Sequence, residues 1–197
     1  MLFRSPLPTP PSLGPEAPAG PTSAETQGES AIALTATGDQ IVAWVRGGKI
    51  VVQRFKSDGT TLGSEINPKV LGSDAYGELP DVATDAVGNF AVCWAGDDGV
   101  YEQAYDSTGA VVGELKFTLT NLAPSHCAIA STSTTSRVLA YDSDTGIHAQ
   151  RLDALNDTVG TPVAVAAGGT HPDVVYLNSG RIAFAWKEGA EIGRAHV

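Results

Sequence analysis

Apolar residues fall in short runs along the chain, separated by clusters of glycine, aspartate, asparagine and serine. "FAVCWA", residues 90–95, is the clearest run. As a strand it presents Phe90, Val92 and Trp94 on one face and Ala91 and Cys93 on the other. One face is large, the other small, and both are apolar. Such a strand is sandwiched between two layers. Around it "PDVAT", "VYEQAYD" and "VVGELKFTL" read as further strands, and "DAVGN", "GDDG" and "STGA" as turns. The segment predicts four strands joined by three tight turns.

The unit recurs. Trp44, Trp94, Tyr141 and Trp186 are spaced by 50, 47 and 45 residues. Gln53, Gln103 and Gln150 each follow the first three of these anchors by nine residues, and Gly63, Gly113 and Gly160 come ten residues later still. A register held over three copies defines an internal repeat, and its period points to propellers or arrays. Gly59, Gly109 and Asn156 share one turn position, where positive φ is needed and Gly or Asn tolerates it best. The large-and-small second strand is present in every copy: Val42 and Trp44 against Ile41 and Ala43, Leu139 and Tyr141 against Val138 and Ala140, Ile182, Phe184 and Trp186 against Ala183 and Ala185. Sheets stacked large face to small face are what propeller blades require. The expected fold is therefore all-β, an incomplete β-propeller of about 3.5 four-stranded blades forming an open arc. A stacked solenoid or tandem sandwich is the alternative.

The repeats divide as 30–79, 80–126, 127–171 and a partial 172–190. Residues 1–29 hold seven of the twelve prolines and read as a disordered leader or linker. At the other end "EIGRAHV", 191–197, resembles the translation of a common short-read sequencing adapter. The repeat demands a glutamine at 195, where Ala195 stands. The missing C-terminal blades of the same chain are thus the first partner expected.

Composition adds little to the fold but narrows function. The formal charge of −10 lacks the basic footprint that nucleic acid requires. No apolar run approaches the length of a membrane span, and residues 1–20 lack the apolar core of a secretory signal. Two cysteines are too few for a disulfide framework.

The pattern "PDVATDAVGNFAVCW … GVYEQAYDSTGAVVGE", with "GIHAQRLD" at 146–153, resembles tandem repeats of large secreted or surface proteins of bacteria. In those, a "P-x-V-A … G-x-F-x-V-x-W … G-I-Y-A-Q-R-F-D … G-x-x-x-G" unit recurs and is thought to form propeller blades. The likeness covers 31 to about 190. The third copy departs from it, with "STSTTS" in place of a glycine turn and Tyr141 in place of tryptophan. The resemblance implies an extracellular or cell-surface, non-enzymatic module and assigns no catalytic residues.

Side chains repeated in every copy serve the blade, whereas chemistry should break the pattern. Gln53, Gln103 and Gln150 therefore read as buried amides that satisfy backbone groups between blades. Cys93 stands where other copies have alanine and reads as a small buried residue; a bridge to Cys127 has no support in spacing. His126 and His171 are equivalent positions before the first strand. Stacked sheets lie about 10 Å apart, too far for two histidines to share an ion, so they read as exposed loop residues. "DSDTG", 142–146, has the alternating acids of a calcium loop, which makes Asp142 and Asp144 weak metal candidates and calcium the ion they would take. It lacks the remaining ligands of an EF-hand, and a solvated turn is the simpler reading. Glu102 and Asp106 read as solvent-facing or turn-forming. No catalytic set and no cofactor motif is present in the sequence.

Propellers bind through loops at one end of the channel. The varied "GSDAYGELP" and "NLAPSHC" connections offer Asp74, Tyr76, Glu78, His126 and His171 as ligand-binding candidates. The function expected is a non-catalytic extracellular binding module for a carbohydrate or protein ligand. The alternatives are a fragment of a propeller glycosidase or lyase, and a structural spacer.

Overall fold

The computed structural model describes residues 25–70, 73–97, 99–120, 125–132, 136–177, 179–189 and 191–196. Four antiparallel sheets follow one another along the chain. The first contains β1 (Gln27–Leu34), β2 (Gln40–Arg46) and β3 (Lys49–Phe55), and is followed by a two-stranded hairpin of β4 (Lys69–Val70) and β5 (Ser73–Asp74). The second holds β6 (Glu78–Thr84), β7 (Phe90–Ala95), β8 (Gly99–Tyr105) and β9 (Val111–Leu119). The third holds β10 (Cys127–Ser131), β11 (Arg137–Ser143), β12 (Gly146–Leu152) and β13 (Thr158–Ala166). The fourth holds β14 (Thr170–Tyr176), β15 (Ile182–Glu188) and β16 (Glu191–His196). Among the described residues there is no helix, and hence none long and apolar enough to cross a membrane.

The expected all-β arc is what forms, and its sheets do not close. The stacking rule read from the sequence is visible in three cores. Ile41, Ala43 and Val52 of the first sheet pack against Phe90, Val92 and Trp94 of the second. The small face of the second, with Ala91, Cys93 and Ala104, meets Ile129, Leu139 and Tyr141 of the third. Ala128, Val138 and Ala140 of the third meet Val174, Phe184 and Trp186 of the fourth. The first strands lie side by side, β1 against β6, β6 against β10 and β10 against β14, and so line the inside of the arc.

Three details differ from expectation. In the first blade the fourth strand is reduced to single bridges, Val52 with Ile66 and Phe55 with Thr61. At the N-terminus β1 starts at Gln27, inside the segment read as a leader, because β2 runs on to Arg46 and offers an edge that Gln27 and Gly28 pair with. In the fourth blade a third strand forms: Ala195 pairs with Phe184 as Gln103 pairs with Val92, so the backbone keeps the register without the glutamine. Asn156 has φ 66°, matching Gly59 (83°) and Gly109 (90°) in the turn they share.

The glutamines act within their blades, not between them. Gln103 Nε2 donates to the carbonyls of Ala104 (3.1 Å) and Val112 (3.3 Å). Gln53 reaches Arg54 and Gly63, and Gln150 reaches Arg151 and Val159, in the same way. In the second and third blades the third and fourth strands slip register beside the glutamine, between Glu102 and Ala104 and between Ala149 and Arg151. A bulge leaves carbonyls without ladder partners. The amide supplies the missing donor.

The cysteines also overturn the simple reading. Cys93 and Cys127 form a disulfide with Cα atoms 6.3 Å apart. Cys93 lies on the small face of β7, and Cys127 opens β10 in the blade stacked on that face. Face-to-face packing brings them together although 34 residues separate them.

Candidate functional site

Pairing of Gln27 with Arg46, and of Glu78 with Ala95, places the start of each inner strand beside the end of the second strand. The interblade connections and the turns between second and third strands therefore gather at one end of the arc. Every loop residue singled out from the sequence belongs to that end. Asp74 lies on β5, its backbone paired with Lys69.

Tyr76 and Glu78 meet in an open groove of about 440 Å³, with Thr26, Glu29, Gly48 and Asp97. Tyr76 is 65% exposed yet firmly held. Its backbone bridges to Lys49, the Gly77 N–H donates to the Gly48 carbonyl at 3.0 Å, and the Lys49 ammonium sits 5.6 Å from the ring centroid. Glu29 is fixed as well, its Oε2 accepting the Leu79 N–H at 2.6 Å. A rigidly mounted aromatic face beside three carboxylates is an arrangement suited to a flat polyhydroxylated ligand: the ring stacks and the carboxylates accept hydroxyl hydrogens.

His126 and His171 do not stand apart. Their rings stack with centroids 3.6 Å apart and planes at 30°. The 10 Å spacing holds for sheets stacked face to face, whereas the inner strands β10 and β14 lie side by side. His171 has φ 55°, at a register shift between Thr170 and Asp173. Glu29 and Leu79 occupy the equivalent positions and also have positive φ.

Asp142 lies beneath the two rings and is fully buried. It is not part of the turn: β11 carries it inward, while Asp144 lies exposed in the turn beyond. The calcium-loop pairing of Asp142 with Asp144 is thus replaced by a different set. Asp142 Oδ1 accepts the His126 N–H at 2.6 Å, and Oδ2 meets His126 Nδ1 at 2.8 Å and the His171 N–H at 3.1 Å. Among the described residues this is the group of three ligating side chains whose donor atoms lie within 4.8 Å of one another. Burial, and then the neighbouring His126, hold the His171 pKa below the ordinary histidine value. A sequence signal for the site existed. Asp142 takes the slot of Val45, Ala95 and Lys187, a buried acid breaking an otherwise unremarkable position.

Two carboxylates on inner strands were also not singled out from the sequence. Asp81 Oδ1 accepts the Val82 N–H and Oδ2 the Ile129 N–H of the next blade, both at 2.8 Å. Burial, and to a smaller degree the charge of Asp173, raise its pKa. Asp173 holds the same position in the fourth blade and accepts the Val174 N–H likewise. With both oxygens in use, Asp81 latches the second blade to the third, while Asp173 repeats only the bond within its own strand.

No family model matches the chain, and no curated protein matches it. Solved structures do. Over 85% of this chain and 61% of theirs, the fold resembles an α-L-arabinanase of Penicillium chrysogenum, solved with arabinobiose, at TM-score 0.61 and 13% identity. The NanB sialidase of Streptococcus pneumoniae aligns over 77% of this chain and 26% of its own, at TM-score 0.55 and 9% identity. TolB of Acinetobacter baumannii aligns over 87% and 41%, at TM-score 0.53 and 13% identity. The fold is that of a β-propeller. The chain spans less than two thirds of the length of each of these proteins.

Proposed function

We propose that the chain is a non-catalytic, extracellular carbohydrate-binding propeller segment, with the Tyr76 groove as its binding surface. The observation that carries this reading is Tyr76 itself, 65% exposed on a backbone pinned to the neighbouring turn, within reach of Glu29, Glu78 and Asp97. The ring offers a flat apolar face beside carboxylate acceptors, the combination by which small-molecule sites hold and orient a ligand. That two of the structurally similar proteins are a sialidase and an arabinanase supports a sugar as the ligand class. The Cys93–Cys127 disulfide supports an oxidising compartment, as expected for a secreted or surface protein.

The test is a glycan array probed with the full chain, followed by calorimetry on the best glycans. Tyr76→Ala should weaken binding at least about tenfold, the share of one stacked ring. Unchanged affinity in that variant, or no glycan bound by the native chain, would overturn the reading and leave a protein ligand. Turnover of a bound glycan would instead favour a propeller enzyme.

A further inference from the structure

We propose that His126, Asp142 and His171 form a binding site for a divalent transition-metal ion of the zinc class, clamping the third blade to the fourth. It is independent of the groove at Tyr76. Three observations on different scales converge on it. The donor atoms of the three side chains already lie within 4.8 Å of one another, so modest side-chain shifts bring them round a common centre. Two imidazoles and one carboxylate are the nitrogen and oxygen set that zinc and its neighbours prefer over calcium or magnesium. Finally, the three residues come from two blades and break the repeat together. The only two copies with histidine before the inner strand are those that flank Asp142.

An interblade brace alone would not need the rings. At the equivalent junction between the first two blades, Glu29 accepts the Leu79 N–H with no imidazole present. Asp142 performs that task for the His171 N–H with Oδ2. The His126 ring partners the buried Asp142, but the His171 ring is additional to what the junction requires. It stacks on the His126 ring from a backbone conformation that a non-glycine residue adopts at a cost. A metal ion would take the place of the proton shared by His126 Nδ1 and Asp142 Oδ2 (2.8 Å), a contact that must open somewhat, since two ligands of a tetrahedral ion with bonds of about 2 Å stand about 3.3 Å apart. His171 is exposed, so the remaining coordination position faces solvent and would hold water or an exchangeable ligand.

Zinc titrated into the chelator-treated full chain provides the test, by calorimetry and by thermal unfolding. The expected result is one ion bound per chain and a midpoint raised by several degrees at saturation. His171→Asn keeps an exposed side chain, the positive φ and the N–H to Asp142, so it should fold and unfold as the native chain does without metal. With zinc it should bind at least tenfold more weakly and lose the midpoint shift. Cobalt in place of zinc should give visible absorption bands that fade in the same variant. Native-like zinc affinity in His171→Asn, or no saturable binding by the native chain, would overturn the proposal. His126→Gln offers a second reading of the same outcome.

Discussion

At the scale of single residues, the least expected feature is Glu102. It read as a solvent-facing or turn-forming residue outside the repeat pattern, yet it is fully buried between the second and third blades. The reason lies across the interface. The position pairs Val52 with Phe90 between the first two blades and Ala149 with Ile182 between the last two, both apolar contacts. Between the middle blades the same two slots hold Glu102 and Arg137, with Arg137 Nε 3.7 Å from the carboxylate. An apolar pair has been exchanged for a charged one, and only comparison of two positions at once reveals it. Arg137 is otherwise held by the Asp153 carbonyl (3.0 Å) and Asn156 Oδ1 (2.9 Å). Among the described residues no hydrogen bond of ordinary geometry reaches either Glu102 oxygen, although the Asn156 side chain, like Arg137, favours the charged form. Burial pushes its pKa from 4.5 up to about 7, against the pull of Arg137. The folded chain therefore binds more protons than the unfolded chain between these values. Stability from this group is full below pH 4.5 and is lost as pH rises through about 7. Glu102→Gln stays neutral throughout. Its stability relative to the native chain should rise between pH 4.5 and 7, by on the order of 3 kcal/mol at most. Urea unfolding of both proteins across that range checks this, and a difference independent of pH would refute it.

At the scale of the strand and its turns, what the sequence disclosed and what it hid follow from one distinction. Periodicity and turn chemistry are local, so the strands, the large and small faces and the positive-φ turn at Gly59, Gly109 and Asn156 could be read directly. Contacts between elements needed geometry. The glutamines were recognisable as structural, but their partners were not, because a register slip between the third and fourth strands leaves no mark in composition. The two histidines looked distant because the face-to-face sheet spacing was applied to strands that lie side by side. Gly77 belongs to the same class. It lies against the indole of Trp94, where an added Cβ would fall 2.5 Å from Cδ1 and 2.4 Å from the Ala95 carbonyl oxygen. Gly169 stands in the same relation to Trp186. In two of the three tryptophan-anchored copies a glycine thus stands in the incoming connection, seventeen residues before the anchor; the first copy has Gln27 there. Gly77→Ala should destabilise the chain by about 1–3 kcal/mol through overpacking, and it should do so without altering the sheet signal in circular dichroism. An unchanged unfolding midpoint would show that the connection can lift away from Trp94 at no cost.

At the scale of the whole molecule, an open arc must hold its blades together without the closure that a full ring supplies. Its core is correspondingly divided among three separate interfaces, each between one small and one large face. The covalent link falls at the middle one, the interface that also carries the buried charge pair and so has lost an apolar contact there. The disulfide spans 34 residues and ties β7 to β10 across the stack. By the chain-entropy estimate, closing a loop of that length stabilises the folded state by about 4 kcal/mol. Cys93→Ala is the informative change, because alanine already fills this slot as Ala43, Ala140 and Ala185 in the other copies and packing should be nearly preserved. The variant should lose on the order of 3–4 kcal/mol in stability, and treatment of the native chain with a reductant should cause a loss of the same size. If the disulfide acts mainly on this interface, unfolding should also become less cooperative, with the first two blades separating from the last two. Hydrogen exchange would report this as earlier loss of protection at the second–third interface than within any blade. Equal stability of the native chain and the variant, with uniform protection across the stack, would mean that face-to-face packing alone holds the arc together.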